Sequence, residues 1–157
     1  GDVEVLLQEI NGTFDPGCYQ VEVVADGGTI EVTREQILAF VSAIGETNPV
    51  YTNEAEAHKA GYDSIIAPPA FVNTVRGRGQ RPDPKIQHGT LTFFANQAVE
   101  FHEPVKPGDT IRSVTSLEDV YAKTGRAGVM VFEVWKTTMT NQDGNLVAIS
   151  RESMVHR

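Results

Sequence analysis

The stretch that decides the fold is TREQILAFVSAIGETNPVY, residues 33–51. Thr33 followed by Gln36 forms a capping box, in which side chains satisfy the free backbone N–H groups of a first helical turn. Gly45 stands where a helix favours a left-handed C-terminal residue. Between these two ends, apolar residues recur at helical spacing: Ile37, Leu38, Phe40, Val41 and Ile44. The stretch predicts one helix that is buried along one face.

Short elements are predicted on both sides of this helix. Before it, Tyr19–Val24 and Thr29–Val32 flank the turn signal Asp26-Gly27-Gly28, which predicts a hairpin or a bent strand. After it, a short helix is predicted from about Glu54 to Ala60. A third helix is predicted from Pro68-Pro69, since proline is tolerated in a first turn, through to Val75. The Gly, Pro and Arg-rich segment Arg76–Gly89 has no periodicity and is interpreted as a loop.

The second half of the chain is typical of long β-strands. Four segments, each 11 or 12 residues long, are separated by turn sequences: Leu91–His102, Thr110–Tyr121, Val129–Thr140 and Asn145–Val155. They are about double the usual strand length. Consecutive strands joined by short turns are antiparallel. One buried helix before such a sheet predicts an α+β fold in which the sheet wraps the helix, the hotdog architecture.

Composition narrows the functional classes. At 157 residues and 40% apolar, the chain is predicted to be one globular domain over residues 1–157. The formal charge of −8 argues against nucleic acid as a partner. No apolar run approaches the roughly 20 residues of a membrane helix. The single cysteine, Cys18, excludes an intrachain disulfide and favours a cytoplasmic setting. No His, Cys and carboxylate cluster has metal-ligand spacing, so no metal is expected.

Three segments carry a resemblance to a known family. They are GETNPVY at residues 45–51, APPAF at 67–71 and FHEPVKPGD at 101–109. With them the chain resembles the MaoC-type hotdog family, and most of all its FAS1-like dehydratase, or N-terminal MaoC, branch. The resemblance spans roughly Tyr19 to the C-terminus. It implies the reversible hydration of a 2-enoyl thioester of coenzyme A or an acyl carrier, with no separate cofactor.

The chain departs from this family at the polar positions of the catalytic signature. Active members resemble one another in an aspartate and a histidine five residues apart, followed by a His-Gly pair. Here Glu46 and Tyr51 stand at the first two positions, and Pro68-Pro69 replaces the pair. Tyrosine, with a reference pKa near 10, is a poor substitute for imidazole. The resemblance therefore implies a substrate-binding hotdog that forms a dimer, with itself or with a catalytic hotdog.

Rival functions stay open at this point. One is an active (R)-specific enoyl-CoA hydratase with altered acid and base residues, and another is a structural subunit without a ligand. A hotdog thioesterase and a FabA-like dehydratase both want a carboxylate inside the central helix. The helix interior, residues 36–44, contains no acidic residue.

The candidate site residues fall into three groups, each with an ordinary structural alternative. Glu46, Asn48 and Tyr51 hold the positions of the catalytic motif, although a turn and a core aromatic ring would use the same residue types. Pro68, Pro69 and Phe71 are expected to contact substrate. His88-Gly89 is the one His-Gly pair of the chain and a candidate substitute, although a lone histidine beside a strand is more often a surface residue. The remaining histidines, including His102, are interpreted as having no role in the site.

The segment Arg76–Gly89 also contains four of the 13 basic residues within ten positions: Arg76, Arg78, Arg81 and Lys85. Guanidinium groups pair bidentately with phosphate. The loop is therefore a candidate site for the phosphates of coenzyme A or of a carrier's phosphopantetheine. The alternative is a solvated loop that balances an acidic protein.

Overall fold

The predicted central helix is present in the computed structural model, which describes residues 9–10, 13–14, 24–77, 81, 83–84, 86–126 and 128–157. Helix α1 spans Arg34–Ile44. Both halves of the capping box between Thr33 and Gln36 are formed, and Gly45 ends the helix in the left-handed region at φ 69°. Local sequence chemistry thus places both ends of α1 as predicted.

Seven antiparallel strands are described, two of them only two residues long. These two, β1 (Glu9–Ile10) and β2 (Thr13–Phe14), pair with each other and were not predicted. The other five form one sheet in the order β3-β5-β6-β7-β4. Their bounds are β3 Val24–Glu31, β4 Thr92–Phe101, β5 Thr110–Gly125, β6 Gly128–Thr140 and β7 Leu146–His156. The four long strands are confirmed, and β5, β6 and β7 pair antiparallel in sequence order. Strand β4 pairs antiparallel with β7 and not with β5, the strand that follows it.

Strand β3 decides between the hairpin and the bent strand predicted around Asp26-Gly27-Gly28. It is one strand with a shift of register between Asp26 and Thr29. Gly28 adopts φ 72° at the shift, and its N–H donates to Asp26 Oδ1 at 2.9 Å. This bond, with the ion pair to Arg112, holds the pKa of Asp26 below its usual value. Of the predicted strand Tyr19–Val24, all but the last residue lies outside the described residues.

The remaining helical segments are short. A 3-10 turn (Pro49–Tyr51) follows α1, and helix α2 covers Glu54–Lys59. The helix predicted from Pro68-Pro69 consists of two pieces, a 3-10 turn (Pro69–Phe71) and α3 (Val72–Val75). Among the described residues, none of the helices is long and apolar enough to cross a membrane.

The core lies between α1 and one end of the sheet. Ile37 and Val41 of α1 are buried in one cluster with Ile111 of β5, Met139 of β6 and Ala148 of β7. At about 1.5 Å per residue, α1 is about 16 Å long, whereas the 13 residues of β6 span about 43 Å. The helix therefore covers only part of the inner face, and the rest needs another cover.

Candidate functional site

The turn that follows α1 carries two of the motif residues, and one side-chain oxygen of each bonds the backbone of the turn itself. Glu46 Oε1 accepts hydrogen bonds from the backbone N–H groups of Thr47 and Asn48, at 2.8 and 2.9 Å. Asn48 Oδ1 accepts from the N–H of Val50 at 3.1 Å and so caps the 3-10 turn. These bonds satisfy backbone N–H groups that the end of a helix would otherwise leave without partners.

Tyr51 differs from Glu46 and Asn48, because its hydroxyl does not bond the turn and is available to a ligand. Burial raises the pKa of the Tyr51 hydroxyl, and the nearby groups Glu46 and Tyr62 raise it further. The hydroxyl therefore stays protonated at neutral pH and is a hydrogen-bond donor. Within the described residues it makes no hydrogen bond to another group.

Tyr51 lies at the edge of a cleft of about 230 Å³, which we call the Tyr51 cleft. One wall comes from the segment that contains Pro68 and Pro69, and the other from the end of β4 and the residues after it. The lining residues are Tyr51, Tyr62, Ile66, Ala67, Pro68, Pro69, Val72, Phe101, His102, Glu103, Pro104 and Val105. The cleft thus combines an apolar floor with a few polar groups, the general pattern of a small-molecule site.

Phe71 belongs to the opposite side of the same segment. It is buried and meets Phe40 of α1 edge to face, with ring centroids 5.4 Å apart. It lines a second, mainly apolar cleft of about 350 Å³ together with Ile30, Gln36, Ala39, Phe40, Thr74 and Val75. The segment from Pro68 to Phe71 therefore separates the two clefts.

His88 and Gly89 lie far from the Tyr51 cleft within this chain. His88 Nε2 donates to the carbonyl of Val129 at 2.9 Å, and the residues after Gly89 bond the backbone of Arg157. This is the end of the sheet where β4 begins, whereas the cleft lies where β4 finishes. The 10 residues of β4 put about 30 Å between the two ends. The structure therefore places His88-Gly89 outside the Tyr51 cleft of this chain.

Two arginines of the basic loop, residues 76–89, pair with a buried carboxylate. Arg76 and Arg81 both form ion pairs with Glu152 of β7, whose side chain is 9% exposed. The Arg81 guanidinium also lies 5.8 Å from the ring centroid of the buried Trp135. Gln97 of β4 donates to Glu152 Oε1 at 3.3 Å. These arginines therefore lie over the inner face beside Glu152 and Trp135. Arg78 and Lys85 lie outside the described residues.

Four polar residues for which the sequence did not indicate a role are prominent in the fold. His102 and Glu103 line the Tyr51 cleft, although the strand pattern assigned His102 no role. Glu133 and His156 form a buried pair on the inner face, with Oε2 and Nε2 3.6 Å apart. Side chains alternate between the two faces of a strand, so the sequence did indicate that Glu133 shares a face of β6 with Trp135. In the described part of the chain, no group of His, Cys, Asp or Glu could hold a metal ion.

Comparison with known proteins gives a family and a set of relatives. A family model described as the FAS1-like dehydratase domain region matches residues 20–150. A protein named UPF0336 from Thermobifida fusca is 33% identical over 99 residues, 60% of this chain and 65% of that protein. A probable enoyl-CoA hydratase alpha subunit from Thermomonospora curvata is 28% identical over 141 residues, 79% of this chain and 44% of that protein. The chain thus spans less than two thirds of either relative.

Solved structures agree with the fold. A chain of the ChsH1-ChsH2 complex from Mycobacterium tuberculosis matches with a TM-score of 0.69 and 25% identity, over 87% of this chain and 86% of that one. A MaoC-like dehydratase from Rhodospirillum rubrum matches with a TM-score of 0.68 and 16% identity, over 88% and 92%. The second likeness shows the fold alone. Together with the sheet topology, these matches confirm the hotdog architecture.

Proposed function

This chain belongs to the FAS1-like dehydratase family of hotdog proteins, and on that premise we propose that it is the substrate-binding hotdog of an acyl-thioester hydratase or dehydratase. A second hotdog then supplies the catalytic acid and base. The ligand of the pair is an acyl thioester of coenzyme A or of an acyl carrier.

One observation carries the proposal. At the two positions where active relatives place an aspartate and a histidine, this chain has a carboxylate that serves its own turn and a hydroxyl that stays protonated. Hydration of an enoyl thioester needs a base that can activate water and an acid for the α-carbon. Oε1 of Glu46 already accepts two backbone hydrogen bonds. Tyr51 is a donor that cannot accept a proton from water at neutral pH. The Tyr51 cleft can therefore bind a substrate even though the motif residues do not supply the usual base and acid.

Strand β4 supports the need for a partner. It is an edge strand of the sheet, and three of its aromatic side chains are about half exposed: Phe93, Phe94 and Phe101. A long, apolar edge strand is a site for pairing with another chain unless it is covered. Antiparallel pairing of two such edges would bring the aromatic residues at the start of one β4 near Phe101 at the end of the other, where cross-strand aromatic contacts are favourable. The same pairing would bring the start of one β4 to the Tyr51 cleft of its neighbour.

A hydration assay tests the catalytic half of the proposal. Purified chain is mixed with crotonyl-CoA, and loss of the enoyl absorbance is followed with and without candidate partner hotdogs. We expect no turnover by the chain alone, and Glu46→Gln is expected to change the activity of the native assembly by less than about threefold. A drop of 10² or more, the scale of a working acid or base, would instead identify an active hydratase with altered residues.

A sizing experiment tests the pairing. Phe93→Lys adds a charge to the exposed edge of β4, so we expect the variant to be monomeric at micromolar concentration while the wild type forms a dimer. Light scattering measures both. A wild-type chain that stays monomeric, and that captures no homologous hotdog, would remove the support that β4 gives.

In the basic loop, Glu152 competes with any ligand phosphate for two of the arginines that were predicted to bind it. Arg76 and Arg81 would have to leave Glu152 to meet a ligand phosphate, which would strand a buried carboxylate. The structure therefore favours an internal, loop-holding role for these two guanidinium groups.

A further inference from the structure

We infer that the Tyr51 cleft binds the acyl chain of the thioester, that it accepts short chains only, and that Ile66 sets the limit. The inference rests on the proposed function, since it names the class of thioester that the substrate-binding hotdog takes. It also gives a role to a residue outside the motif positions, which Tyr51 and Pro68 occupy on either side of it in the sequence.

The floor of the Tyr51 cleft is apolar and its rim is polar. Five of the lining residues are buried, and all five are apolar: Ile66, Ala67, Pro68, Val72 and Val105. The others are exposed or half-buried, and they include every polar side chain of the cleft. Burying a polar group without a hydrogen bond costs free energy, whereas burying a methylene is favourable. An acyl chain should therefore lie on the floor, with its thioester at the rim.

Ile66 is a part of this floor that lies outside the core. Ala67, Val72 and Val105 belong to the buried core cluster, and so does Ile65, the neighbour of Ile66 in the sequence. Ile66 is 9% exposed but is not a member of that cluster. A change in the size of this side chain therefore alters the cleft more than it alters the core.

Ile66 also separates the Tyr51 cleft from a polar cleft of about 210 Å³. It lines both clefts, and of the residues that do so it is the buried one. The polar cleft is lined by charged and amide side chains, among them Asp63, Lys106 and Asn145. An acyl chain that passed Ile66 would lose apolar surroundings. Both the Ile66 side chain and the polar groups behind it therefore limit the chain.

The volume of the Tyr51 cleft gives the limit a number. An apolar cavity of about 150 Å³ holds benzene, which corresponds to about 25 Å³ for each carbon atom. The cleft of about 230 Å³ then holds about nine heavy atoms. With the sulfur and the carbonyl oxygen of the thioester counted, about seven acyl carbons remain. A hexanoyl chain should fit, and an octanoyl chain should not.

The second, mainly apolar cleft is larger, about 350 Å³, but it is the less suitable site for the chain. It lies across the segment from Pro68 to Phe71 from the Tyr51 cleft. Phe71 is buried and packs edge to face on Phe40. A chain with its thioester beside Tyr51 would have to pass this segment to reach the second cleft.

The test measures Kd by calorimetry on the native assembly with saturated acyl-CoA thioesters of 4, 6, 8 and 10 carbons. For the wild type, Kd should fall by up to about fourfold for each methylene from butyryl to hexanoyl, and should not fall further for octanoyl. Ile66→Ala removes three side-chain carbons, so octanoyl and decanoyl should now bind more tightly than hexanoyl. Ile66→Phe adds three carbons, so hexanoyl should lose its advantage over butyryl.

Ala39→Leu is the matched control, because it adds three carbons to an exposed residue that lines the second cleft. It should leave the preferred chain length unchanged. A shorter preferred chain in this variant would overturn the inference, because it would place the chain in the second cleft. A general loss of structure could lower every affinity, but it would not move the preferred length in opposite directions in the two Ile66 variants.

Three other results would also decide against the inference. If Kd of the wild type keeps falling through octanoyl and decanoyl, or if neither Ile66 variant moves the preferred length, the inference is wrong while the proposed function stands. If the wild-type assembly binds none of the four thioesters, the proposed function is wrong as well.

Discussion

Replacing Glu152 by glutamine should destabilise the protein more than any other single carboxylate-to-amide change at an ion pair described here. Glu152 is 9% exposed and is the shared partner of Arg76 and Arg81. Glutamine keeps the shape and one acceptor oxygen but removes the charge. Both guanidinium groups would then lie over the inner face of the sheet without the charge of Glu152, and that of Arg81 would lie beside the Trp135 ring.

The size of the effect follows from burial. Removing one partner of a fully buried ion pair costs about 3 to 5 kcal/mol. Here the two arginine side chains are 30% and 29% exposed, so water can solvate part of the released charge. We therefore expect a loss of about 2 to 3 kcal/mol in the free energy of unfolding. For a domain of this length that corresponds to a fall in Tm of roughly 4 to 12 °C.

Urea denaturation and thermal unfolding measure the change at one fixed protein concentration, since pairing makes Tm depend on concentration. Glu118→Gln is the matched control, because Glu118 pairs with Arg151 on the exposed face and an exposed pair contributes less than about 1 kcal/mol. If Glu152→Gln unfolds within 0.5 kcal/mol of the wild type, or no more easily than the control, the idea that an internal carboxylate holds the basic loop is wrong.

Three further outcomes are expected. Glu46→Gln should lower the pKa of Tyr51 but leave it above the usual value, because burial remains; an ultraviolet titration measures it, and no change would contradict the proximity of the two groups. Gly89→Ala should cost about 1 to 3 kcal/mol more than Gly144→Ala in urea, because a Cβ at Gly89 would lie 2.0 Å from the Arg157 backbone while the space at Gly144, also at positive φ, is open; equal costs would refute the close approach. Because the pKa of Asp26 is lowered in the folded state, its carboxylate should stabilise the protein at pH values above its usual pKa. This contribution should be lost as the pH falls through the lower folded pKa. NMR titration of the Asp26 carboxyl measures the folded pKa, and a normal value would contradict the prediction.

The helices and strands could be predicted where they depend on interactions between residues close in sequence. The ends of α1 depend on a capping box and a left-handed glycine, both of which involve residues at most three or four positions apart. The four long strands follow from turn residues and strand-forming side chains that are contiguous in sequence. The helix predicted over residues 68–75 was less accurate, because the prolines favour a first turn but do not decide how the chain continues.

The candidate site could be predicted only where residues are close in sequence. Glu46, Asn48 and Tyr51 lie within one turn, so the motif located them together. Their roles were not predictable, because the hydrogen bonds that occupy Glu46 depend on backbone geometry. His102 stands 51 positions after Tyr51. A strand pattern predicts which face of the sheet a residue lies on, but not which distant segment packs against the end of the strand.

The sequence by itself determined the fold class and the ends of the central helix, since both depend on residue type and short-range spacing. The tertiary structure alone decided that Arg76 and Arg81 of the loop pair with Glu152, that His88 lies at the end of the sheet away from the Tyr51 cleft, and that His102 and Tyr51 line one cleft. The physical reason is the sheet order β3-β5-β6-β7-β4. It makes neighbours of residues 51 to 76 positions apart, and no local pattern encodes which ends of the strands will meet.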